Sequence, residues 1–343
     1  MLRHLLTCML ATGYASAACS RAALQAATDS YVHAQANGTG WVNISPNLTY
    51  TENEKPIDIK TGVLTAPMII DHNRSIHDTV QCASFTELIA AKQENPTVIG
   101  TRILYTPATN GSLLAHTIES IVTKTGDWAF NATGYLYWNS LESWAPIPEA
   151  QRDTREAIQA AGDAYFDRFN NVNITVPFGV PCDRLEGGAY TGAHDLANNT
   201  CDIGGLPSNI KVTNRRYVVD EALGVVDIFL GFPGLDRSVP DRPAPDSHMF
   251  RVQGGKIRYI HTVSACFNPG CGLNGTIFER GWKAGVGAGA RWTNVTAVRG
   301  ARFRGRMWGR RWLNGTALVN ETAITHLWSE ELEKAYEYEG VSS

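Results

Sequence analysis

Apolar positions recur in two matching blocks. Leu24, Ala27 and Tyr31 fall at helical spacing within Arg21–Tyr31, and Ile158, Ala161 and Tyr165 do the same within Arg155–Tyr165. Each segment predicts an amphipathic helix whose buried face ends in tyrosine. Ser20 is the expected cap of the first, and Asp153 or Thr154 of the second. Seven of the eleven positions are identical between the two segments, which reads as an internal duplication. Runs rich in β-branched and aromatic residues follow each helix. In the first half they are Val98–Tyr105, Leu113–Thr123 and Gly134–Trp138; in the second, Ile210–Val219, Val225–Phe232, Ser247–Gln253 and Lys256–Ser264. Between helix and runs, three pairs of landmarks suggest an alignment of the halves. Asn47 and Asn173 each start a strand, Pro56-Ile-Asp58 parallels Pro181-Cys-Asp183, and His77-Asp78 parallels His194-Asp195. Asp78 is expected to cap a helix running to Ala90 or Ala91. The predicted class is α+β, with helices packed on a curved antiparallel sheet. The expected units are residues 18–147 and 148–272.

The ends read differently. Arg3 and His4, the apolar run Leu5–Ala11 and the small residues Ala15-Ser16-Ala17 predict a signal peptide over residues 1–17. That run is too short to span a bilayer, which takes roughly 20 apolar residues. Residues 273–343 form an extension rich in Gly, Arg and Trp, and 280–311 carry nine Lys or Arg with no Asp or Glu. Arg299, Arg302, Arg304, Arg306, Arg310 and Arg311 beside Trp308 and Trp312 could suit a polyanion. A secretory route makes nucleic acid an unexpected partner. Ser329–Tyr338 predicts a short terminal helix.

Sequons and cysteines point to the secretory pathway. Asn-x-Ser/Thr occurs at Asn37, Asn43, Asn47, Asn73, Asn110, Asn131, Asn173, Asn198, Asn274, Asn294, Asn314 and Asn320. Chance would give roughly three from this composition. Of seven cysteines, Cys8 lies in the signal segment and six remain. An even number in an oxidising compartment predicts three disulfides. Cys182–Cys201 and Cys266–Cys271 are expected as local clips, leaving Cys19–Cys82. The chain lacks Cys-x-x-Cys and His-x-x-x-His, so no metal is expected. It also lacks a Gly-rich phosphate loop and a G-x-S-x-G elbow, so no cofactor is expected. The expected product is a secreted or lumenal, disulfide-bonded glycoprotein without a membrane span.

The order helix, short strands, long meander, occurring twice, resembles the SnoaL-like, NTF2-like or ketosteroid-isomerase-like cone fold in tandem. Arg216-Tyr-Val-Val-Asp220-Glu-Ala-Leu-Gly224, with the string from Pro245 through His248, Phe250 and Arg251 to Arg258, Tyr259 and His261, resembles a family of secreted fungal proteins. Relatives with this look include the dimerising cyclases of maleidride biosynthesis. The resemblance implies a secondary-metabolism cyclase or isomerase that abstracts a proton next to a carbonyl. Its most specific reaction would join two maleic anhydride units. A non-catalytic glycoprotein binding a small apolar ligand or a host partner is the alternative. The expected partner is a small apolar or anhydride-type organic substrate, and assembly as a homodimer is left open.

Candidate chemistry centres on a hairpin at Gly254-Gly255. An unbroken ladder opposes Val252 to Ile257, Phe250 to Tyr259 and His248 to His261, all on one face. A cross-strand histidine pair on an apolar wall could supply a base and a hydrogen-bond donor. A single bulge would destroy that pairing. Arg184 and Glu186 share one side of a strand. Facing inward they could bind an anion and act as a base; facing outward they form a surface ion pair. Tyr31 and Tyr165 line the two cones or pack their cores, with Phe250 and Tyr259 as further lining. Asp220 is expected to accept turn amides.

Overall fold

A computed structural model of the chain describes residues 19–41, 43–191, 196–202, 207–236 and 238–271. The first half runs helix α1 (Arg21–Asn37), then strands β1 (Ile44–Glu52), β2 (Lys55–Pro56), β3 (His72–Asp78), β4 (Ala83–Ala90), β5 (Thr97–Pro107) and β6 (Leu113–Lys124). A junction helix, α2 (Ala132–Ser140), follows. The second half runs α3 (Arg155–Arg168), β7 (Phe178–Glu186), β8 (Ala189–Thr191), β9 (Thr213–Asp220), β10 (Val225–Phe232), β11 (Ala244–Gln253) and β12 (Lys256–Ser264). The sheets have the orders β2-β1-β6-β5-β4-β3 and β8-β7-β12-β11-β10-β9. Strand for strand these are the same order, so the α+β fold comprises two tandem units. Each sheet is mixed, because β1 joins β6 and β7 joins β12 in parallel.

The predicted helices form because their apolar stripes have a sheet to cover. Ser20 Oγ accepts from Ala23 N and Thr154 Oγ1 from Ala157 N, as caps. Leu24, Ala27 and Tyr31 pack into one core with Tyr50, Leu64, Ile103 and Ile118. Ile158, Ala161 and Tyr165 pack into a second with Phe166, Phe250, Ile257 and Ile260. The opposite faces of the two sheets form a third core, holding Phe85, Ile89, Ile121, Leu185, Val218, Phe229, Met249 and Val263. Full burial of each such side chain contributes about 1.5–3 kcal/mol. Phe85 and Phe229 meet edge to face there at 6.1 Å.

Reciprocal polar contacts join the halves. Arg155, the first residue of α3, binds Asp78 at the end of β3 through two nitrogens at 2.8 and 2.6 Å. Arg21, the first residue of α1, binds Asp220 at the end of β9 at 2.6 Å. Val219 N donates to Asp78 and His77 N donates to Asp220, each at 2.9 Å. Asp220 also accepts the turn amide of Leu223 at 3.1 Å, as expected.

Several expectations require correction. Asp78 does not cap a helix; it accepts the amides of Val80 and Gln81 in a turn. Residues 83–90 form β4, buried on both faces, one in the first core and one between the sheets. Two-sided burial erased the alternation that marks a strand. Residues 134–138 are helical, in α2, where Asn131 caps the amide of Gly134 at 2.9 Å. The register also changes the alignment of the halves. Tyr50 pairs with Ile118 as Arg184 pairs with Ile260, so the spacing of 134 between the helices continues into β1 and β7. The counterpart of Asn47 is therefore Pro181; Asn173 lies in the turn ahead of β7. Asp78 corresponds to Asp220, while His194-Asp195 lies outside the described residues.

All three disulfides form as expected: Cys19–Cys82, Cys182–Cys201 and Cys266–Cys271. They suit an oxidising compartment. No helix among the described residues is long and apolar enough to cross a membrane. Of the sequons in the described residues, Asn37, Asn47, Asn73, Asn110, Asn131, Asn173 and Asn198 are exposed and Asn43 is half-buried. The signal segment, the basic extension and Asn274, Asn294, Asn314 and Asn320 lie outside the described residues.

Candidate functional site

The expected histidine pair is not a pair. β11 and β12 start in the expected register, Gln253 opposite Lys256 and Val252 opposite Ile257. A bulge then skips Arg258. Beyond it Arg251 faces Tyr259, Phe250 faces Ile260, Met249 faces His261 and His248 faces Thr262. Side chains alternate along a strand, so the extra residue moves Tyr259 and His261 to the other face. The bulge buries Ile257 and Ile260, three residues apart, in one core. It leaves Arg258 near the surface, donating to the carbonyl of Val180 at 3.1 Å.

His248 lies on the helix-covered face of the second sheet, 4% exposed. Its ring packs against Phe166 at 5.0 Å and Tyr165 at 5.6 Å, with Phe250 and Phe232 beyond. His248 Nδ1 and Asp246 Oδ1 are 2.5 Å apart, and Ser264 Oγ donates to Asp246 Oδ2 at 2.5 Å. A carboxylate accepting from Nδ1 fixes the tautomer and leaves Nε2 as the basic nitrogen. Asp246 shares the His248 face because it is two residues away on the same strand.

β7 supplies the rest. Arg184 and Glu186 do face inward and form an ion pair with each other. Arg184 also donates to Tyr165 Oη at 2.8 Å, so the phenol's own proton remains available for donation. Burial pushes the Tyr165 ionisation up, keeping that proton in place at neutral pH. Thr262 Oγ1, from the neighbouring strand, is buried with no hydrogen-bond partner. A buried polar atom left unpaired is a group a ligand could satisfy.

The first unit carries different chemistry at the same positions. Pairing puts Tyr31 opposite Tyr165 in role, Tyr50 for Arg184, Glu52 for Glu186, Thr101 for His248 and Ser120 for Thr262. There the hydroxyls close on themselves: Tyr31 Oη to Thr101 Oγ1 at 2.8 Å and Thr101 Oγ1 to Ser120 Oγ at 2.9 Å. Of the expected lining residues, Tyr31 lies in the core of the first unit and Tyr165 and Phe250 in that of the second, while Tyr259 lies on the other face.

His261 takes part in a separate cluster between the sheets. Nδ1 lies 2.9 Å from Glu87 Oε1 and Nε2 lies 2.5 Å from Glu142 Oε2. Tyr135 Oη and Asn139 Nδ2 donate to Glu87 at 2.8 and 2.6 Å, and Arg74 adds an ion pair at 3.1 Å. Trp144 Nε1 donates to Glu142 at 2.9 Å, and Arg74 lies over the Trp144 ring at 4.2 Å. Burial by itself would lower the His261 pKa, but the Glu142 and Glu87 carboxylates outweigh it and raise it to about 9. Burial likewise opposes a charge on Glu87, yet His261 and Arg74 hold it at about 2. This is a fully enclosed ionic lock on the junction between the units, with the charges paired and hydrogen-bonded.

A family model described as a domain of unknown function (DUF8021) matches residues 151–264, the second unit from just ahead of α3 to the last strand. No curated protein matches the chain.

Proposed function

We propose that the second cone is a small-molecule site for proton abstraction next to a carbonyl, with His248 as the base. Nε2 takes the proton, and the electron pair left on carbon moves into an enolate. The Tyr165 hydroxyl, backed by Arg184, donates to the enolate oxygen. Asp246 orients His248 and stabilises the imidazolium, Glu186 holds Arg184, and the phenylalanines accept the apolar part of the substrate. One observation carries this reading. At matched positions the first unit has Thr101, Tyr50 and Ser120, each hydrogen-bonded, where the second has His248 held by Asp246, Arg184 on Tyr165, and Thr262 with its buried hydroxyl unpaired.

The cone resembles the NTF2-like or ketosteroid-isomerase-like fold, and the specific reaction we propose is a cyclising dimerisation of maleic anhydride monomers in a secretory compartment. Such monomers carry an acidifiable C–H beside a carbonyl and oxygens suited to the Tyr165–Arg184 donors. The test is incubation of the purified protein with activated anhydride monomers. Dimer should form faster than without enzyme, and His248→Ala should remove the excess while leaving the fold intact. Equal rates for wild type and His248→Ala would sink the proposal. The second reading, a secreted glycoprotein that binds without turnover, draws on the mutual neutralisation of Arg184 and Glu186. It predicts ligand binding with no product.

A further inference from the structure

The core of the first unit contains a long connecting segment of its own chain. After β2 the chain packs along the first core as a strap, residues 57–68. A single 3-10 turn, Val63–Thr65, directs Leu64 inward, where it is 1% exposed. Leu64 and Met68 belong to the same core as Tyr31, Tyr50 and Trp41, with Ile57, Ile59 and Val63 packed beside them.

The strap is fastened by groups whose counterparts in the second cone belong to the proposed site. Glu52, the counterpart of Glu186, accepts the amide of Val63 and the hydroxyl of Tyr50, the latter at 2.5 Å. Gly62 approaches so closely that an added Cβ would lie 2.5 Å from both Glu52 Oε1 and Tyr50 Cε1. From α1, Gln35 Nε2 donates to the carbonyls of Val63 and Ala66 at 2.9 and 3.2 Å, and Met68 N donates to Ala36 O at 3.2 Å. The Tyr31–Thr101–Ser120 hydroxyls are also satisfied by one another, which leaves Gln35 Oε1 as the unpaired polar atom beside the strap. In the second unit Thr262 Oγ1, the counterpart of the Ser120 hydroxyl, is unpaired.

We infer that the strap is a built-in occupant of the first cone, with Leu64 in the place of a ligand, so that the chain has one ligand site and the first unit serves as its scaffold. The count of one rests on the second-cone reading; the plug does not. Leu64→Ala would leave a cavity lined by apolar groups, of the kind that admits small aromatic molecules.

The test soaks crystals of the full chain with 4-bromophenol and locates bromine by anomalous scattering. Wild type should show one peak, in the second cone, and Leu64→Ala two. Gln35→Ala, which loosens the strap without emptying the core, is the second variant if Leu64→Ala does not fold. A peak in the first cone of wild type would overturn the inference. So would a first cone that stays empty in whichever variants fold. An empty second cone in wild type, with the first cone filling in a variant, would support the plug and remove the single-site reading of the second cone.

Discussion

His261 offers a measurable test of the lock between the units. Its pKa is raised from 6.5 to about 9, a difference of about 2.5 units worth about 3 kcal/mol at 1.36 kcal/mol per unit. The sign follows from a raised pKa on a cationic acid. The stabilisation is fully present below pH 6.5 and is lost as pH rises through about 9. The partner Glu87, held at about 2 against 4.5, reports the same contacts from the other end, so the two figures are not summed. Its contribution is present above pH 4.5 and disappears only as pH falls through about 2. His261→Gln removes the cation and leaves Glu87 with Arg74, Tyr135 and Asn139. Urea unfolding of wild type and His261→Gln, disulfides intact, should be followed at pH 6, 7.5, 9 and 10. The gap between the two proteins should be largest at pH 6 and shrink by about 3 kcal/mol by pH 10. Parallel curves across that range would refute the buried-imidazolium argument.

Three further outcomes are expected. Asp246→Asn should keep the fold, checked by circular dichroism, and reduce any turnover by about 10²-fold or more, because the base loses its orienting carboxylate; unchanged turnover would remove Asp246 from the site. Arg155→Ala should cost about 2 kcal/mol and Arg21→Ala about 1 kcal/mol or less, although the two are repeat counterparts. Arg155 is 17% exposed and bidentate, whereas Arg21 is 40% exposed with one contact; equal urea midpoints would contradict this. Replacing Cys19 and Cys82 by Ser should cost about 4 kcal/mol and replacing Cys266 and Cys271 about 2 kcal/mol, following sequence separations of 63 and 5. The reverse order in thermal unfolding would show that native packing outweighs chain entropy.

Much of this protein could be read along the chain, and the reason is locality. The helices of residues 21–37 and 155–168, the hairpin at Gly254-Gly255, the turn at Asp220 and the shared side of Arg184 and Glu186 depend on neighbours a few residues away; that this side faces inward was decided by packing. The repeat itself is a string comparison, and it identified two units whose sheets share one strand order. Local spacing also suggested the two short disulfides, with the third left by elimination. What depended on distant partners was lost. β4 hid because two different cores bury its two faces. The junction helix α2 looked like a strand because its short aromatic run has β propensity, and the partners that hold it, Glu87 on β4 for Tyr135 and Tyr190 on β8 for Trp138, lie about 50 positions away. The His248/His261 separation turned on one skipped residue, Arg258, whose side chain is drawn to a carbonyl 78 positions away. Asp246 could have been found, since it sits two residues from His248 on the same strand. Glu87, Arg74 and Glu142 could not, because nothing local ties them to His261. A chain determines by itself where its apolar stripes fall and therefore which elements form. Which face each polar group joins, and what it meets there, was decided only when the two sheets packed.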